Sequence, residues 1–279
     1  FTVDANVVIA SAGGMVTLNA GDDYTQNAAA TINAATTINI NIDSGNADAA
    51  VGATATIDGT VSATTVNVTG DTDSDTLDSN AIDSDYEVTG ANSGTLTRGV
   101  GSVINFTTIE NLGGGAGDDS FDLNGGTLSG TVDAGMGNDT LQLDDVANTV
   151  EVTGAGSGTA TGTAGFTGIE NINGGSSTDD FDLNGGTLAG DIDGGAGANS
   201  LQLDDTSNSV EVTSADGGTA TGIGGSFSSI GTISGGSMDD TIDLNGGTLS
   251  GTLAGGGGAG INSLTLDAVS YTHLTLPTK

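Results

Sequence analysis

The chain has no cysteine, one proline, one histidine and only two lysine or arginine residues in 279 positions. Without cysteine there is no disulfide framework and no thiolate-bound metal. Against the two cationic residues stand 36 aspartates and glutamates, for a formal net charge of −34. Such a surface repels nucleic acid and anionic membrane and leaves cations as the natural partners. Aromatic residues are 3% of the chain, too few to pack a thick core. Nowhere do apolar residues run for the roughly 18 positions that a membrane helix needs, so direct membrane insertion is not expected. The chain opens on Phe1 with neither an initiator methionine nor a signal peptide, and it reads as an interior piece of a longer protein.

What the chain has in quantity is glycine, 50 residues, beside an apolar fraction of 35%. That fraction is too high for simple disorder, and its small side chains suit a thin core repeated many times. The repetition is plain: FDLNGGTLSG at 121–130 returns as FDLNGGTLAG at 181–190 and as IDLNGGTLSG at 242–251. Within it the apolar period is two. Phe121 and Leu123 flank Asp122, Leu141 and Leu143 flank Gln142, and Val150 and Val152 flank Glu151, the alternation of half-buried strands. Glycine-rich loops at 114–119, 134–139, 154–158, 174–179, 194–199, 214–218, 235–240 and 257–262 punctuate the strands about every twenty residues.

Twenty residues with two strands and two corners make one coil of a solenoid, which buries its apolar face only by stacking on its neighbours. The expected fold is therefore all-β, a parallel β-helix (β-solenoid) with about 20 residues and two strands per rung. Three rungs copied together give the repeat of about 60 residues. Phe121, Leu141, Phe181, Leu201, Ile242 and Leu264 are expected to share one core. Residues 1–69 lack the glycine corners and are expected to be diverged rungs spaced nearer 25 residues, ahead of regular repeats over 70–268. The last stretch, VSYTHLTLPTK at 269–279, breaks the repeat and holds the only histidine and the only proline. It resembles translated sequencing-adapter read-through and is set aside as a non-native tail.

GGAGDDSFD at 114–122 fits every defined position of the nonapeptide GGxGxDxUx of RTX proteins, and AGMGNDTLQ at 134–142 lacks only the first glycine. GGSSTDDFD (174–182) and GGSMDDTID (235–243) keep the sixth-position aspartate, whereas GGAGANSLQ (194–202) and GGAGINSLT (257–265) carry Asn199 and Asn262 there. The motifs occur singly here, not in the tandem runs of that family. The wider block over 86–268 resembles the repeats of very large bacterial surface and secreted proteins, the filamentous-haemagglutinin-like and RTX-like adhesins. The resemblance implies an extracellular β-helical stalk or passenger region with calcium between loops of successive coils. On that reading the metal ligands are Asp118, Asp119, Asp139, Asp179 and Asp240. Stacked carboxylates ~4.8 Å apart repel by about 1 kcal/mol in bulk water and about 3–4 kcal/mol at an effective dielectric of 20, a strain that a hard cation relieves. The competing reading is that glycine makes the corner and aspartate bonds the turn backbone.

Chemistry beyond binding has little to stand on. The lone histidine lies in the tail, which removes a Ser-His-Asp arrangement. A β-helix polysaccharide lyase pairs acidic calcium ligands with an Arg or Lys base; only Arg98 is available, and it reads as an isolated surface residue. The pairs Asp144–Asp145 and Asp204–Asp205 would suit paired-carboxylate hydrolysis, yet such pairs arise by composition alone. Glu110, Glu151, Glu170 and Glu211 read as a solvated face, and the threonines of TAT at 159–161 and 219–221 recur too sparsely for a lattice-matching surface. The expected function is a structural or adhesive stalk or passenger segment of a secreted or surface-anchored bacterial repeat protein, rigidified by calcium. Host or surface ligands would be engaged through modules outside this segment. A β-helix polysaccharide-processing enzyme is the alternative.

Overall fold

A computed structural model of the chain describes residues 1–45, 51–80, 82–257 and 261–266; the tail at 269–279 lies outside them. Among the described residues there are strands and no helices, and the strands stack as the parallel β-solenoid expected from the sequence. Two long sheets face each other across one continuous apolar cluster running from Val3 to Ile242. The first, begun by Thr2–Val3, has 13 strands; the second, begun by Val16–Asn19, has 15. At ~4.8 Å per strand the stack is about 60 Å tall.

The first three coils have a third face. Val8–Ser11, Thr31–Ala34 and Thr60–Ser62 form a three-stranded parallel sheet between the other two. These coils are long because they carry three strands: Thr2 pairs with Thr25 and Thr25 with Thr56. Their strands read Thr or Asn outward and Ile or Val inward, as in Thr37–Asn41 and Thr65–Thr69, where β-branched residues suit the pleated surface.

From Thr76 onward the coils are two-sided, and pairs of them step by twenty residues. Phe121 sits on Leu141, and Phe181 on Leu201. The third unit of each block differs from the simple coil read in the sequence. Thr149–Gly154, Ser157–Ala160 and Thr163–Thr167 form an antiparallel meander that doubles back within one sheet. Equivalent meanders are Ser84–Gly90, Ser93–Arg98 and Ile104–Thr107, and then Ser209–Ser214, Gly217–Ala220 and Phe227–Ser228. The loops at 154–158 and 214–218 are therefore hairpin tips, not corners between coils. The signal lay in GANSG, GAGSG and SADGG, whose third residues Asn92, Gly156 and Asp216 all take positive φ. Asn, Gly and Asp are the residues that accept that conformation in tight hairpin turns.

Because a meander stays on one face, a sixty-residue block crosses between sheets five times and completes two and a half turns. Equivalent residues of successive blocks consequently alternate sides: Phe121 lies in the second sheet, Phe181 in the first and Ile242 in the second. Each meander adds two strands, about 10 Å of height, to one face. Placed always on one face, the meanders would bend the stack; alternation keeps the two sheets in step. The surplus of two strands in the second sheet is its one unmatched meander.

Phe121, Leu141, Phe181, Leu201 and Ile242 are all buried, and Phe121 stacks face to face on Tyr86 with ring centroids 5.0 Å apart. Leu264 departs from the expectation: it is 54% exposed, because no described strand stacks beyond Ser263–Leu266. Phe121→Ala should cost about 3–5 kcal/mol in urea or thermal unfolding, through lost burial and a cavity. Leu264→Ala should cost far less, and equal losses at the two sites would contradict this register.

Candidate functional site

At a series of corners where two coils meet, the incoming strand presents a backbone amide that its own turn leaves free. The sixth-position residue of the glycine-rich loop supplies the acceptor for the coil before it. Asp119 Oδ1 takes the Ser84 amide at 2.7 Å, and Asp139 Oδ1 takes the Asp119 amide at 2.7 Å. Asp179 Oδ1 takes the Asn148 amide and Asp240 Oδ1 the Asn208 amide, both at 2.9 Å. Asn199 and Asn262 do the same for Asp179 and Asp240. The acidic loops are thus rungs of a side-chain ladder between coils, not bonds within one turn.

The ladder recruits residues that the sequence reading assigned elsewhere or passed over. Glu110 Oε2 accepts the Asp75 amide and Glu170 Oε2 the Asp139 amide, each at 2.9 Å; both had been read as a solvated face. Asn148 and Asn208 start their ladders and turn their Nδ2 groups onto Asp179 Oδ1 and Asp240 Oδ1. The FDLNGG stretch has its own partner. Asn124, Asn184 and Asn245 donate to Glu87, Glu151 and Glu211 at 2.6–2.7 Å, and Thr127, Thr187 and Thr248 pair with the tips of the preceding meanders. The decapeptide recurs because it seats a hairpin.

Four of the five expected ligands are deeply buried: Asp119 at 2% exposure, Asp139 and Asp179 at 0% and Asp240 at 1%. Asp118 is exposed and accepts the Asn138 amide. In each buried residue Oδ1 is used on an amide, while Oδ2 is buried and accepts no hydrogen bond. Burial pushes Asp119 and Asp139 up to about 6, against the opposing effect of the amide bonds. Burial also raises Asp179 above the usual carboxylate range.

The asparagine corners show what space remains beside Oδ2. Asn199 Nδ2 donates to the Gly194 and Ser229 carbonyls at 2.7 and 3.0 Å. A methyl built on Gly194 would lie 2.6 Å from Asn199 Nδ2 and 2.6 Å from the Ser229 oxygen. One built on Gly174 would lie 2.5 Å from Asp179 Oδ2 and 2.9 Å from the Gly194 oxygen. Gly114 and Gly235 place Asp119 and Asp240 alike. Aspartate and asparagine therefore occupy one kind of cradle, and at Asn199 its walls are carbonyls at hydrogen-bond range. Calcium needs several oxygens at about 2.3–2.6 Å from itself on different sides, and a gap of one hydrogen bond does not hold it. The Asn199 corner does not fit the ion.

Among the described residues, one set of three carboxylates has ligand oxygens within 4.8 Å of one another: Asp43, Asp71 and Asp75. Asp43 and Asp75 are buried and Asp71 is half-buried; Asp75 accepts the Ala53 amide on Oδ1 and the Asp71 amide on Oδ2. These are the residues that could hold a divalent cation. The alternating aspartates of GDTDSDTL at 70–77 were the available signal, whereas Asp43 joins them only through stacking.

Arg98, expected at the surface, is buried beneath its meander. Its Nε donates to Ser79 Oγ and an Nη to the Gly59 carbonyl, both at 2.9 Å. Asp144 and Asp204 each cap the amide of the next residue at 2.7 Å and line open depressions of about 290 and 240 Å³. A depression of about 600 Å³ lies on the first sheet over Gly113, with Asp78 and Asp133 on the two strands beside that glycine. Burial raises the Asp78 carboxyl above its ordinary value. No family model matches the chain, and neither a curated protein nor a solved structure matches it.

If the ladder holds adjacent coils, Asp179→Ala should destabilise by about 1–3 kcal/mol, because it orphans a buried amide donor. Hydrogen exchange at Asn148 should quicken, while exposed Asp145→Ala should leave both readings unchanged. Unaltered exchange at Asn148 in the Asp179 variant would contradict the assignment.

Proposed function

We propose that this chain is a structural spacer: an acidic, rigid rod within a secreted or surface-anchored bacterial repeat protein, projecting adhesive modules away from the surface. The observation that carries this reading is the unbroken core from Val3 to Ile242, closed at its corners by side chains that bond one coil to the next. Residues that could have served chemistry are spent on cohesion: Asp119, Asp139, Glu170 and Asn148 hold backbone amides or carbonyls. The dense negative charge keeps such rods apart from one another and from anionic surfaces. The likeness of 86–268 to adhesin repeats supports the same reading. Calcium enters it at Asp43, Asp71 and Asp75, where an ion would offset the mutual repulsion of three carboxylates.

The second reading, a polysaccharide-processing enzyme, is favoured by one observation, the groove of Asp78 and Asp133 over Gly113. A cysteine-free chain makes the rod easy to measure. Spin labels at Thr25→Cys and Thr232→Cys sit ten strand steps apart in the first sheet, roughly 48 Å at ~4.8 Å each. A narrow distribution near that separation is expected, together with no turnover of acidic or neutral polysaccharides. A broad or much shorter distribution would sink the rod. Sustained product release that is lost in Asp78→Asn would replace it with the enzyme.

A further inference from the structure

Each buried aspartate corner of the ladder poses a question about its second oxygen. Asp119, Asp139, Asp179 and Asp240 each hold an Oδ2 that is buried and accepts no hydrogen bond. For Asp119, Asp179 and Asp240, Oδ2 borders the same small space beside Gly114, Gly174 and Gly235 as a carbonyl oxygen of the next coil, at Ala134, Gly194 and Gly255 respectively. An ionised carboxylate facing a carbonyl there sets acceptor against acceptor in a low-dielectric corner, which costs the full desolvation of the charge. At the matching corner of the same repeat the chain carries Asn199, whose Nδ2 donates to the next coil's carbonyl at Ser229 as well as to Gly194 of its own loop; Asn262 Nδ2 donates to Gly255 of its own loop.

We infer that Asp119, Asp139 and Asp179 of the buried ladder are neutral carboxylic acids, each with its proton on Oδ2 and donating to the next coil's carbonyl, as uncharged counterparts of Asn199 on Ser229. Oδ1 keeps the amide of the preceding coil, so one side chain links three successive coils. The nearest cation along the strands is Arg98, which pairs with Ser84 beside Asp119 and spends its Nε and an Nη on Ser79 Oγ and the Gly59 carbonyl. The charged residues that act on Asp119 are Asp83 and Asp139, and those on Asp139 are Glu170 and Asp118. All are acidic and favour the protonated form.

The sign of the consequence follows from linkage. A carboxyl whose folded pKa lies above its unfolded value binds more protons in the native state between the two values. Its contribution to stability is complete below about pH 4, the unfolded value, and is lost as pH rises through about 6 for Asp119 and Asp139. Outside the cell, an acidic setting would tighten the rod and a neutral one would loosen it at these corners.

The test is Asp119→Asn with Asp139→Asn, in calcium-free buffer, against a surface control of Asp85→Asn with Asp145→Asn. Both replace two aspartates by asparagine, but only the first replaces ladder acids. We expect the ladder variant to match or exceed the wild-type melting temperature at pH 7.5 and to lose much of the wild-type rise in melting temperature between pH 6.5 and 4.5, with the control retaining that rise. Infrared spectra at pH 5 should show a protonated carboxylic C=O band in the wild type and control that weakens in the ladder variant. The inference is overturned if the ladder variant melts lower than the wild type at pH 7.5, if its pH slope equals that of the control, or if the band is absent. It is also overturned if calcium, but not magnesium, stabilises the wild type and the ladder variant abolishes that effect, since the carboxylates would then be ionised and bound to the metal.

Discussion

At eight corners of this protein a coil arrives with a backbone amide whose acceptor is a side chain of a later coil. A buried, unpaired amide costs a large part of what one coil gains by stacking, so the acceptor has to be present at those corners. Aspartate, asparagine and glutamate fill that position at Asp75, Asp119, Asp139, Glu170, Asp179, Asn199, Asp240 and Asn262. The glycines of the loops follow from the same need. A methyl at Gly114 would lie 2.3 Å from Asp119 Oδ2 and 2.6 Å from the Ala134 carbonyl, and the carboxyl could not enter the corner.

The meanders impose the second constraint. Each adds two strands to one sheet, and the odd number of sheet crossings per block sends the next meander to the opposite sheet. A copied segment of sixty residues thereby extends the rod without curving it. Asn124, Asn184 and Asn245 then lock each hairpin to the coil above through Glu87, Glu151 and Glu211. The sequence conserved between blocks is the part that seats the hairpin. The function proposed here rests on that economy, in which charge and hydrogen-bonding capacity go into holding coils together and keeping rods apart.

Much of this was legible in the chain itself. Period-two alternation around Phe121, Leu141 and Val150 announced strands, glycine spacing announced stacked coils, and the residue counts excluded disulfides, cationic surfaces and membrane helices. The sixth-position aspartates were legible as special because they recur in register with the apolar residue that follows. What remained ambiguous was their partner, since a carboxyl serving a metal, its own turn or the next coil leaves the same letters in the sequence.

Those ambiguities were decided by pairing, within a hairpin in one case and between stacked coils in the others. GAGSG at 154–158 resembles GGAGDD as a string, but antiparallel pairing of Val152 with Gly158 makes it a hairpin tip. Asp43 meets Asp71 and Asp75 only once two coils stack, and Glu170 reaches the Asp139 amide only because a meander intervenes. The sequence by itself determined the strand period, the corner residues and the charge, all of which are properties of neighbours along the chain. Tertiary structure alone decided which face each repeat occupies and which atom each carboxyl touches, because both depend on how many times the chain crosses between sheets before it returns.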